Sequence, residues 1–138
     1  MKIDGGCLCG HITYEADIDP EKVGVCHCTD CQINSGTAFR VAVMVPRENL
    51  RILTGEMKVY VKTAESGNRR ALSFCPECGT SIHGGNVDGT GPVSLRIGTS
   101  RQRAELPPRT QIWCRSALPW VDDLGAVRKI EMQGRPPR

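Results

Sequence analysis

Seven of the eight cysteines in this 138-residue chain fall into three tight groups. "GGCLCGH" holds Cys7 and Cys9, "VCHCTDCQ" holds Cys26, Cys28 and Cys31, and "FCPECGT" holds Cys75 and Cys78; Cys114 stands apart. Whatever joins groups this far apart fixes the long-range topology. A chain of this length can bury one real core, so cross-links are not needed merely to fold. Aromatics are only 4% of the residues, however, so the core should be aliphatic and thin. No apolar run follows Lys2, and no stretch approaches the length of a membrane span. The expected setting is therefore soluble and cytoplasmic, where cysteines serve as thiols or metal ligands rather than disulfides.

"FCPECGT" reads as a strand followed by a C-P-x-C-G turn, in which Pro and Gly shape a loop that points both sulfurs inward. One such knuckle supplies half a tetrahedron. Cys7 and Cys9 are the natural second half, giving a closed four-sulfur zinc site that is structural because the metal keeps no vacancy. Its binding free energy would then become folding free energy. Cys26, Cys28 and Cys31 remain with no fourth partner in sequence. Three protein ligands and a vacancy form the pattern of a catalytic zinc. Two other readings stay open from spacing: Cys114 or a histidine closes the site, or the groups share their sulfurs around one zinc. His27, between two ligands, should point away from the metal that they face. His11 and His83 are expected to pack or to hydrogen-bond, and Cys114 to be a buried small hydrophobe.

The rest of the chain reads as mainly β. Ile12, Tyr14 and Ala16 alternate onto one face, as do Val93, Leu95 and Ile97. In "TAFRVAVMV" Phe39, Val41, Val43 and Val45 share a face, and Ala42 and Met44 make the other face apolar too, which predicts a strand buried on both sides. "MKVYVK", the turn-rich "TAESGN" and "RRALSF" predict a hairpin. "TQIWCR" and "AVRKIEM" are further strand candidates; short helical turns are expected after Thr29 and near "PWVDDL". A single domain over residues 1–132 is expected, with residues 133–138, "QGRPPR", as a tail.

"GGCLCG", "CHCTDCQ", "FCPECGT" and a late "IWCRSALPWV" together resemble the glutathione-dependent formaldehyde-activating enzyme family, which includes the centromere protein V domain. The resemblance spans Gly5 to about Leu124. It implies a small, zinc-stabilised, multi-sheet β fold similar to methionine sulfoxide reductase B. It implies two zinc ions, a structural one on Cys7, Cys9, Cys75 and Cys78 and a catalytic, more labile one on Cys26, Cys28 and Cys31. The implied activity is that of a carbon–sulfur lyase, S-(hydroxymethyl)glutathione synthase, which adds the thiol of glutathione to formaldehyde. Members often carry a histidine where Gln111 stands, so substrate or rate can differ here.

Glutathione has two carboxylates, for which Arg40 and Arg96, on apolar strands, are candidate partners. Asp30 is a candidate proton relay or a residue that fixes the turn between ligands. The alternatives are an enzyme of this fold acting on another thiol or aldehyde, a thiol redox protein, and a non-catalytic zinc module. The net charge of +3 is spread along the chain and apart from "RPPR" forms no basic block. Zinc on four thiolates carries about −2 and on three about −1, which would bring the total near zero. A nucleic-acid partner is therefore not expected.

Overall fold

The computed structural model of the chain describes residues 1–134. The strands are β1 (Lys2–Gly6), β2 (Thr13–Asp17), β3 (Val23–Cys26), β4 (Arg40–Val45), β5 (Leu50–Thr54), β6 (Lys58–Thr63), β7 (Arg69–Phe74), β8 (Ser81–Asn86), β9 (Val93–Arg96) and β10 (Thr110–Ile112). One α-helix, α1 (Thr29–Ser35), interrupts them, with short 3-10 turns between later elements. The fold is mainly β, as the alternating sequence predicts.

The strands form two sheets. The smaller is ordered β1-β2-β5, and the larger β10-β3-β4-β9-β8-β7-β6. Neighbours are antiparallel except β10, which adds to β3 in parallel. Register decides what each face of the large sheet does. Val43 pairs with Val23 and Leu95, and these residues turn to the core. Ala42 pairs with Gly24 and Arg96, and Met44 with Ser94, on the opposite face. The core joins Ile3, Tyr14 and Ala16 of the small sheet to the valines and Leu95 of the large one. It is aliphatic, Tyr14 being the one aromatic ring buried in it among the described residues.

Three expectations need correction. The second face of β4 is not a second core: Met44 is 40% exposed, and this face forms the wall of a cleft. "AVRKIEM" is not a strand. A 3-10 turn at Val121–Ala126 precedes it, and Val127, Ile130 and Met132 are exposed with no partner strand, so alternation alone has no ladder to join. Cys114, expected to be buried, is exposed, because it follows the edge strand β10 into a 3-10 turn. The hairpin β6–β7, the helix after Thr29 and the turn after "PW" are as expected. Of the expected tail, residues 135–138 lie outside the described residues.

Gly5 and Gly6 bring the chain into Cys7 by close backbone contact. A Cβ on Gly5 would stand 2.0 Å from the Thr99 carbonyl oxygen, and one on Gly6 2.3 Å from that of Ile12. Gly5 also bridges Ser100, which carries the small sheet toward the segment after β9. Gly5→Ala should cost about 2–3 kcal/mol through overpacking and lower the thermal midpoint; an unchanged melting curve would mean that β1 can move aside freely.

Candidate functional site

The turn after β1 and the turn after β7 place Cys7, Cys9, Cys75 and Cys78 together, with all four sulfurs within 4.8 Å of one another. Cys7 and Cys9 sulfurs are 3.6 Å apart, and Cys9 and Cys75 sulfurs 3.8 Å. These are far longer than a disulfide bond. A tetrahedral zinc with sulfurs at about 2.3 Å sets them about 3.8 Å apart. The loops also aim donors at the sulfurs: the Ile12 N–H donates to Cys7 Sγ at 3.2 Å, and the Glu77 N–H to Cys75 Sγ at 3.4 Å. The Thr80 hydroxyl, then its N–H and that of Cys9, hold Cys78 down to about 5. The same hydroxyl accepts from the Leu8 N–H at 3.1 Å, so one side chain ties the two knuckles. Sulfur spacing and thiolate-directed donors both fit a metal ion.

The second cluster is local. Cys26 ends β3, Cys28 caps α1 and Cys31 lies in its first turn. Their sulfurs also lie within 4.8 Å of one another. Cys28 Sγ accepts the Cys31 N–H at 3.2 Å, so the cap bond of the helix and the sulfur cluster use the same atom. The Cys31 thiol, hydrogen-bonded to Cys26, holds Cys26 down to about 5, and the same interaction together with burial pushes Cys31 up. Three sulfurs so close do not all ionise unaided, and a divalent cation is the group that would let them. No histidine, carboxylate or fourth cysteine joins this set among the described residues.

His27 turns away from the sulfurs, is 2% exposed, pairs through Nε2 with Gln111 Oε1 at 2.7 Å and lies edge-on to Phe39. The Gln32 amide donates to the carbonyls of His27 and Ser116, both at 2.9 Å. Asp30 is paired with Lys62 at 2.9 Å, so it holds the helix against β6. Cys114 Sγ points to the Gln111 carbonyl at 3.6 Å. His11 is exposed, whereas His83 is partly buried and its Nδ1 has no partner.

A cleft of about 460 Å³ opens beside the second cluster, with Cys26 and Cys31 in its wall. Lys22, Arg40, Lys62, Arg70 and Arg96 also line it, and among the described residues no aspartate or glutamate does. Sequence reading found Arg40 and Arg96 and missed the rest. Lys62 pairs with Arg70 across β6 and β7, a signal legible only once the hairpin register is known. Burial first, then the charge of Arg40, pull the Arg96 guanidinium down to about 9. Trp113, also in the wall, holds a left-handed backbone with φ of 57°, and the Arg115 guanidinium lies 5.1 Å from its ring.

The chain matches the family model of the glutathione-dependent formaldehyde-activating enzymes over residues 2–116. It belongs to that family. A protein of Schizosaccharomyces pombe named an uncharacterized lyase is 28% identical over 92 residues, 67% of this chain and 64% of that protein. This chain thus spans slightly less than two thirds of that relative's length. A crystal structure of a Rhodobacter sphaeroides protein superposes with a TM-score of 0.60 at 17% identity, covering 80% of this chain and 99% of that one. At that identity it speaks for the fold alone. No helix among the described residues is long and apolar enough to cross a membrane.

His83 gives a pH prediction. Burial, then the charges of Arg96 and Arg47, pull it down to about 4 from 6.5. The unfolded chain therefore binds the extra proton first, and stability should fall as pH drops from about 6.5 toward 4. His83→Gln should flatten that slope in urea melts taken across the window; an identical slope would show that His83 titrates normally.

Proposed function

We propose that the protein is a zinc-dependent carbon–sulfur lyase of the S-(hydroxymethyl)glutathione synthase type, joining glutathione and formaldehyde and splitting the adduct in reverse. The observation that carries this reading is the opening of the three-sulfur cluster onto a cation-lined cleft, with Cys26 and Cys31 in the wall. At about 460 Å³ the cleft is of a size that takes a small ligand. Membership of the family and the lyase name of the yeast relative point the same way.

In this reading Cys7, Cys9, Cys75 and Cys78 hold a structural zinc, and Cys26, Cys28 and Cys31 hold a catalytic one. A zinc ion there would supply Lewis acidity that favours a substrate thiolate at neutral pH. The reaction is an addition: a sulfur lone pair forms the C–S bond, the carbonyl pair moves to oxygen, and that oxygen gains the proton lost by the thiol. The chain's own residues position and shield. Gln32 ties the loop at His27 to the segment at Ser116, fixing the wall that carries Trp113. Trp113, Ile112 and Leu72 give the cleft apolar surface that excludes water, while the arginines and lysines supply a positive field for an acidic thiol.

Protein purified under reducing conditions should hold about two zinc ions per chain by elemental analysis. It should accelerate adduct formation from ¹³C-formaldehyde and glutathione, read by NMR. Cys31→Ala should keep its melting curve, release one zinc and lose more than about 100-fold in rate. Cys75→Ala should lose the fold, since a structural zinc contributes on the order of 10 kcal/mol, comparable with the whole stability of a domain. Equal unfolding of both variants would sink the division of labour, and no acceleration by the unaltered protein would sink the activity.

A further inference from the structure

We infer that Arg96 is a built carboxylate anchor in the cleft, and that the thiol accepted there carries at least one free carboxylate. The inference rests on reading the cleft as the thiol site. Arg96 ends β9 and is 7% exposed. Its neutral partners fix the guanidinium: Nη1 donates to the Ser94 carbonyl at 3.1 Å and the Ser94 hydroxyl at 2.8 Å, and Nε to the Ser81 hydroxyl at 3.4 Å. Nη2 is buried and has no partner. It lies over Gly84, another residue of the cleft wall, where a Cβ would approach it to 2.9 Å.

Arg40 and Arg70 share the cleft and repel Arg96, and negative charge on Cys31 and Cys26 offsets part of that repulsion. Their recorded side-chain partners are the amide oxygens of Asn34 and Asn86. None of the three arginines has a carboxylate within ion-pair distance among the described residues, although Arg51 has two and Arg101, Arg109 and Arg115 have one each. A buried cation with a free donor is costly unless an anion meets it. A guanidinium fork held in place is suited to a planar carboxylate. Register places Arg96 on the strand beside that of Arg40 and two strands from Cys26, all in the wall of one cleft, so one small molecule can set an acid on Arg96 and a sulfur at the cluster.

The test is calorimetric titration of the metal-replete protein with S-methylglutathione, whose sulfur cannot become a thiolate, and with its diethyl ester. The acid should bind at least about tenfold more tightly. Arg96→Gln should erase that preference, and Arg96→Lys should restore part of it, with melting curves to confirm folding. If Arg96→Gln does not fold, Arg96→Lys, which keeps the charge and loses the fork, should reduce the preference several-fold from that of the unaltered protein. Equal binding of acid and ester, or a preference untouched in the folded variants, would overturn the anchor. Glutarate against glutaramide separates the two readings. Failure of S-methylglutathione with an Arg96-dependent glutarate preference keeps the anchor and removes glutathione. Adduct formation without any acid preference keeps the lyase and removes the anchor. No binding of either acid overturns the anchor.

Discussion

The fold depends on the meeting of two turns that are 66 residues apart at Cys9 and Cys75. The turn after β1 belongs to the small sheet and the turn after β7 to the large one. Four sulfurs within 4.8 Å give these turns something to share, and the Thr80 hydroxyl joins them a second time at Leu8. Such crowding of sulfurs is not self-stabilising. Thiols are weak hydrogen-bond donors and thiolates repel, so a cation bound among them would be what stabilises the arrangement, and its affinity would become folding free energy. A core with one aromatic ring makes that contribution matter more.

With the two sheets pinned, the faces of the large sheet can be put to different uses. One face carries the valines of β3, β4 and β9 into the core. The other carries the small residues Gly24, Ala42 and Gly84 on β3, β4 and β8, with Arg40, Arg70, Lys62 and Arg96 among them. The small residues create the cleft; the cations give it its sign. A sheet that buried both faces of β4 would have left no such space. The apolar Ala42 and Met44 are thus cleft wall, a role that hydropathy cannot tell from core.

This marks the boundary of what the sequence discloses. The two sulfur clusters were legible because knuckle spacing is local and chemically constrained, and the core strands because period-two alternation survives in β2 and β9. The cleft was not, because Lys62, Arg70 and Gly84 come together through strand register rather than through any motif. Arg96 was legible as a residue type on an apolar strand, but not its unpaired Nη2. Cys114 misled because a lone cysteine beside tryptophan and isoleucine looks apolar, while the segment runs along an open edge. "AVRKIEM" misled because alternation is necessary for a strand and not sufficient without a neighbour.

The end of the cleft beside the three-sulfur cluster is held by His27, which turns away from the sulfurs as its place between two cysteines predicts. In C-H-C the middle side chain points opposite to its neighbours, so with Cys26 and Cys28 in the cluster His27 has to turn inward. There it packs against Phe39 and pairs with Gln111 on β10. Its N–H meets the Ile112 carbonyl at 3.1 Å, so both ring and backbone fasten β10 to the cysteine loop. Gln32, one turn into α1, fastens the segment beyond β10 from the other side. The strained backbone of Trp113 lies between these two fastenings, which is where a left-handed tryptophan can be maintained. Gln111 therefore bears on the cleft wall through His27 and the placement of Trp113.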